Sequence, residues 1–455
     1  MMIKMRNKFL FYSLAMVIFN VHSCYAVTLE QIYSVALQND STFKSAMMLH
    51  AADVEEKNIS KAELLPHVKL DYQNSPHNTQ HREYQQQTLD NKTKNVSQKE
   101  KYNSSSASIT VTQTLFDYGA YENYKSSTFK SLMADEKYRN DLEVLFLRIT
   151  EDYLDILNKG DKLDQINKQL STYYSLIKIN KALFSAGEGS SADVAETQSM
   201  ISQTEVKKIS AEVDLEESET KLSRELKVQH VSYSSLAKFD KKKFKQILIS
   251  PNEITRWEQL TLAGNHNITS ANLNSEAMRY KVRQSYSGYL PTIQLYASHS
   301  LNDSNTETTV NQKYDTNSIG IQISMQLYNG GGTSAETRRS EALYEKAMYD
   351  KDSETVDALT RLHKNFVYVA NSNLIFKQAS LAVKAAEDQL TAMKASYKEG
   401  QKDNSDLLNA VQQVYNAEVT EKDAIYRYFN SYLAILYSAG KLDENSTHYI
   451  SSSFR

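Results

Sequence analysis

The sequence predicts an α+β membrane protein: a tandem-duplicated chain that gives four strands to a β-barrel shared between copies and carries very long coiled-coil helices. Three observations predict it. The 455 residues hold only 12 Gly and 4 Pro, far below the usual combined share of roughly 12%, so turns are few and helices long. Short motifs recur in the same order in both halves, those of the long helices and their turns at an offset of 213 positions, as from Asp193 to Asp406. Four segments alternate between apolar and polar residues.

Residues 1–26 read as an export signal. Lys4, Arg6 and Lys8 make a basic start, and Phe9 to Phe19 is an apolar run, shorter than the roughly 20 residues of a spanning helix. Cys24-Tyr25-Ala26 puts small residues at the −3 and −1 positions for cleavage before Val27. Cys24 is the only cysteine, so the mature chain has no disulfide, thiolate nucleophile or cysteine metal site. A lipidated Cys24 is disfavoured by the bulky His22. Lys+Arg 52 against Asp+Glu 55 gives no basic excess for nucleic acid. A mean hydropathy of -0.56 excludes a polytopic helical membrane protein.

The rest divides into a first repeat at 27–228, a linker at 229–254, a second repeat at 255–440 and a tail at 441–455. Leu65-Pro66-His67-Val68-Lys69-Leu70 recurs as Leu290-Pro291-Thr292-Ile293-Gln294-Leu295, and Leu115-Phe116-Asp117 as Leu327-Tyr328-Asn329. Phe184, Gly187 and Asp193 recur as Tyr397, Gly400 and Asp406. Ile149, Ile156, Leu163, Leu170, Ile177 and Phe184 keep a seven-residue step, as do Leu362, Val369, Phe376, Val383, Leu390 and Tyr397. That period is a coiled-coil seam. Residues 120–184 contain no Pro and only Gly160, and 333–397 contain neither, so each helix reaches about 98 Å at 1.5 Å per residue.

Between each Pro and its long helix lie two strands. Val68, Leu70 and Tyr72 alternate with Lys69, Asp71 and Gln73, and Ile109, Val111 and Leu115 with Thr110, Thr112 and Thr114. Ile293, Leu295 and Ala297 alternate with polar neighbours, and Ile319, Ile321, Ile323, Met325 and Leu327 form the fourth apolar row. A soluble sheet packed on helices uses the same alternation, but these lengths suit a membrane barrel, lipid outside and water within. The polar connections 77–106 and 302–315 read as loops, with His77 and His81 as loop residues rather than metal ligands. Four strands cannot close a barrel, because bare edges in lipid cost several kcal/mol per backbone group. Copies must therefore share one.

These motifs in doubled order, with the Leu-Tyr-Asn-Gly-Gly strand-to-helix junction and the Phe/Tyr-x-x-Gly turns, resemble the TolC-like outer membrane efflux protein family over residues 28–440. The resemblance implies a homotrimer with a 12-stranded outer-membrane barrel and a periplasmic α-barrel tunnel in a Gram-negative bacterium. It further implies a periplasmic adaptor (membrane fusion) protein and an inner-membrane RND or ABC transporter as partners. Residues 229–254 and the tail would form an equatorial belt, in which Lys241-Lys242-Lys243 reads as a solvated surface.

Function should then lie in the pore and its tips, at the turns Ser185–Ala192 and Lys398–Ser405, which contain Gly187 and Gly400. Asp193 and Asp406 start the returning helices, where a carboxylate complements the helix dipole, capped by Ser190 or Ser191 and by Asn404 or Ser405. The resemblance adds a gate in which Asp193 bonds Tyr397 and Lys402 bonds the neighbouring turn, and a cation-selective ring at Asp406. Departures are Lys402, which lacks the arginine fork, Ala192, which has no side-chain acceptor, and Asn409, which replaces a second acidic ring. Tyr72, Tyr118, Tyr121 and Tyr289 suit an interfacial girdle, whereas Tyr153 and Tyr174 read as helix packing.

No phosphate loop, nucleophile motif or metal cluster points to an enzyme or a cofactor. The predicted function is a passive exit duct for efflux or type I secretion. The alternative, a trimeric coiled-coil adhesin-like stalk without a through-pore, has no need of paired strands and doubled punctuation.

Overall fold

The computed structural model describes residues 26–240, 244, 252–305, 312–442 and 444–454. Residues 1–25 of the predicted signal, the Lys241-Lys242-Lys243 run and the central part of the second polar connection lie outside the described residues. Both halves of the chain follow one order. A capped helix pair comes first: α1 (Leu29–Asn39) and α2 (Ser41–Ala62), then α5 (Ile254–Gly264) and α6 (His266–Tyr286). Asp40 breaks the first pair and accepts the Phe43 N–H at 2.6 Å. Asn265 breaks the second and accepts from Asn267 and Ile268. Each side chain satisfies amides that a helix start leaves without partners.

The strands β1 (His67–Gln87), β2 (Thr93–Phe116), β3 (Thr292–Asn305) and β4 (Gln312–Ser324) form one antiparallel sheet in the order β1-β2-β3-β4. Val68, Val111, Ala297 and Ile319 stand in register across all four. On that side Val68, Leu70, Ile319, Ile321 and Ile323 remain exposed, Ile319 by 78%, so none of the described residues covers this apolar face. From Ile293 to Leu301 it is about 27 Å tall along the strand at 3.4 Å per residue. On the opposite face the Tyr296 ring lies over Gly320.

Two sequence expectations are corrected here. The stretch 77–106 is no loop: β1 and β2 continue pairing up to Gln87↔Thr93, past the point where β3 stops at Asn305. A two-stranded ribbon in water satisfies its backbone without an apolar face, so no alternation marks it. His77 and His81 are strand residues, and the His81 imidazole bonds Ser97 Oγ at 2.9 Å. β4 ends at Ser324, short of Met325 and Leu327, because its ladder partner β3 begins at Thr292, just after Pro291, which has no N–H to pair.

From the sheet run α3 (Tyr118–Ser185), 68 residues, and α7 (Gly332–Lys398), 67 residues. They return as α4 (Ser191–Leu226) and α8 (Asn404–Ser438), and α9 (Glu444–Ser452) follows. At 1.5 Å per residue each long helix extends about 100 Å. The seven-residue seam is buried through Ile149, Ile156 and Leu362, each 0% exposed, and opens toward the turns, where Phe184 is 52% exposed. One apolar core surrounds Ile149, Leu222, Leu362 and Phe429, and a second lies nearer the turns around Ile166, Tyr173, Ile177 and Leu407. Gly160 leaves room for the Tyr233 ring, whose hydroxyl donates to Asp161 at 2.9 Å and Asp164 at 2.8 Å.

The segment after α4 and the tail meet: Val27 bridges Leu236, and Phe239 bridges Phe454. The buried Tyr153 donates to Ala237 O at 2.9 Å. Tyr174 does not pack inside: it is 43% exposed and bonds Glu205. Among the described residues no helix is long and apolar enough to cross a membrane.

Candidate functional site

The two helical turns close in the same way. Gly187 and Gly400 have φ of 78° and 68°, the left-handed conformation in which glycine ends a helix. The Glu188 N–H reaches Leu183 O at 3.0 Å, and the Gln401 N–H reaches Ser396 O at 2.9 Å. Nothing lies within 4 Å of a Cβ added at either glycine. The backbone angle therefore selects glycine here, not crowding.

The returning helices start differently. Ser190 caps α4, accepting the Ala192 N–H at 3.0 Å. α8 is capped by Asp403, which accepts the Asp406 N–H at 2.8 Å, and not by Asn404 or Ser405. With the cap supplied one residue earlier, the Asn404 side chain is free to turn inward, where it is 1% exposed.

There it joins a buried polar cluster drawn from all four long segments. Asn180 of α3 donates to Thr197 Oγ1 and to Asn404 Oδ1, each at 2.8 Å. Asn404 donates to Glu196 Oε2 at 2.9 Å and to Asp193 O at 3.3 Å. Thr197 donates to the same Asp193 carbonyl at 2.8 Å. The Tyr397 hydroxyl donates to Asn180 Oδ1 at 2.7 Å. Asn180 and Thr197 are 2% and 0% exposed.

The sequence-predicted residues thus gather at one end of the hairpins in a changed arrangement. Tyr397 bonds Asn180 instead of Asp193, and Asp193 contributes its backbone carbonyl. Burial, then the nearby Asp193 charge, raises the Tyr397 phenol above its usual range. Lys402 pairs with Asp406 of its own turn at 3.0 Å. With side chains 49% and 39% exposed, such a pair contributes about 0–1 kcal/mol. Asn409 lies exposed beyond Asp406, and Ala192 is exposed on α4.

Sequence reasoning missed Asn180, Thr197 and Glu196, and read Asn404 only as a helix cap. One signal existed for the first: Asn180 stands three residues after Ile177 and four before Phe184, an inner seam position where a polar residue fixes register.

A sequence model of the family described as outer membrane efflux protein matches residues 32–226 and 257–441. The chain is 29% identical over 437 residues to the proteases secretion protein PrtF of Dickeya chrysanthemi, covering 95% of this chain and 92% of that one. It is 29% identical over 430 residues to the alkaline protease secretion protein AprF of Pseudomonas aeruginosa, covering 94% and 88%. With the outer membrane protein TolC of Vibrio cholerae it shares 24% over 429 residues, 92% of each. Among solved structures, the Campylobacter jejuni CmeC outer membrane channel superposes with a TM-score of 0.76 at 15% identity, covering 93% of this chain and 89% of that one. The outer membrane protein VceC of Vibrio cholerae gives 0.74 at 14%, covering 90% and 96%.

Proposed function

Because the chain belongs to the outer membrane efflux protein family, we propose that it is the outer-membrane exit duct of a type I secretion system or tripartite efflux pump, a passive channel gated at its periplasmic tips. The observation that carries this reading is the sheet: an uncovered apolar row on Val68, Val111, Ala297 and Ile319, bounded by two edge strands, β1 and β4. Lipid covers such a face, and only barrel closure removes such edges. β4 of one copy pairs with β1 of the next, and three chains of four strands give a 12-stranded barrel.

The helices of the three copies pack as a coiled-coil α-barrel in the periplasm. Repeats at 27–228 and 255–440 supply equivalent hairpins, and the linker 229–254 with the tail makes a belt around them. Asp193, Tyr397 and Lys402 sit where the tips must part, Gly187 and Gly400 set the turns, and Asp406, with Asn409 beyond it, forms the selectivity ring. A periplasmic adaptor docks on the hairpins and an inner-membrane transporter supplies the energy. Likeness to PrtF and AprF, both named for protease secretion, favours an ABC transporter and a polypeptide cargo over an RND pump.

Assembly tests the reading first. Outer-membrane fractions should yield a trimer that survives SDS without heating and dissociates when boiled. A monomer at all temperatures, from folded protein, would contradict the shared barrel.

A further inference from the structure

We infer that Asn180 and Asn404 are the latch of the closed tip, the positioning residues that hold Tyr397 and both hairpins together. This rests on the duct reading above and names residues that the family resemblance did not supply. Asn180 lies on α3 and Asn404 opens α8, so their 2.8 Å bond joins the two halves of the duplicated chain. Asn180 uses both ends of its amide: Oδ1 accepts from Tyr397 on α7, and Nδ2 donates to Asn404 and to Thr197 on α4. Asn404 does the same, accepting from Asn180 and donating to Glu196. The four long segments therefore meet in one hydrogen-bonded unit.

The duplication makes this placement informative. At the offset of 213, the position matching Asn180 is Met393, and the position matching Thr197 is Ala410. Tyr397 likewise matches Phe184, so three members of the cluster have apolar counterparts and the repeat plan alone does not require it. Asn404 lies four residues past Gly400 and Asn180 seven before Gly187, at the end of the hairpins that must separate for a cargo to pass. Parting α8 from α3 breaks the Asn180–Asn404 bond and strands buried amide groups, which biases the tip toward closure. Asp403 permits the arrangement by capping α8 itself, which leaves the Asn404 amide for the latch.

Single-channel conductance of the full mature protein in a planar bilayer tests it. Asn180→Ala and Asn404→Ala should each raise conductance severalfold, and the double variant should match the singles, since one unit can be broken only once. Thr197→Val keeps the shape and removes the hydroxyl, and should raise conductance, whereas Thr197→Ser should behave as wild type. Leu408→Ala removes buried volume one turn from Asn404 but none of the cluster's hydrogen bonds, and should also behave as wild type. A wild-type current unchanged in the Asn and Val variants would overturn the latch alone. So would a Leu408→Ala gain equal to theirs, which would mark general loosening. No current from the wild type would contradict the duct itself.

Discussion

The Tyr397 hydroxyl donates to Asn180 Oδ1 at 2.7 Å, from the last turn of α7 into the seam of α3. That bond replaces a tyrosine–carboxylate link with a neutral one. A neutral pair held in a buried cluster needs no counter-charge and responds little to salt. Any salt sensitivity at these tips should come from the exposed Lys402–Asp406 pair.

Tyr397→Phe deletes the hydroxyl and leaves Asn180 Oδ1 short of a donor. We expect a stability loss of about 1–3 kcal/mol, read by chemical unfolding followed by circular dichroism, together with a higher conductance. Asp193→Ala should change conductance less, because that residue enters the cluster through its carbonyl.

Asp406→Asn should lower the cation preference of the current, measured as reversal potential in a salt gradient. Lys402→Ala frees the Asp406 carboxylate from its ion pair and should raise that preference.

Shortening the seam tests the helical packing. Ile149→Ala and Leu362→Ala each empty a fully buried site and should cost about 2–5 kcal/mol, seen as an earlier unfolding midpoint. Gly187→Ala and Gly400→Ala should each cost about 1–2 kcal/mol, because a Cβ disfavours positive φ.

Glu143 supplies a pH dependence. Burial raises its carboxyl from 4.5 to about 7, opposed by the Leu442 N–H. His266 faces it at 3.8 Å and bonds Glu136 at 2.7 Å. A folded-state value above the unfolded one means that the native state binds the proton more tightly. The contribution is therefore fully present below 4.5 and lost as pH rises through about 7. Glu143→Gln should flatten the stability profile across that window, and a profile identical to wild type would contradict the assignment.

What the sequence made legible follows from the range of the interactions involved. Pro66 and Pro291, the seam from Ile149 to Phe184 and the glycines at 187 and 400 are local or periodic signals, and each marks its element. The ribbon beyond Ser75 was hidden because a solvated two-stranded ladder needs no apolar alternation. The end of β4 depended on its partner, since Met325 alternates well but has no residue of β3 to pair with. Asp403 outcompeted Asn404 as the cap because both are good capping types and only the fold decides between them. The Asn180–Asn404 contact spans 224 positions and left only a polar residue in a seam as its trace. The family resemblance directed attention to Asp193 and Tyr397, and packing placed the amides between them.

The most direct test of the exit-duct account is single-channel recording of the purified mature protein in a planar bilayer. The account predicts stable, cation-preferring openings that multivalent cations block and Asp406→Asn relieves. Folded trimers that insert into the bilayer and carry no current would contradict it.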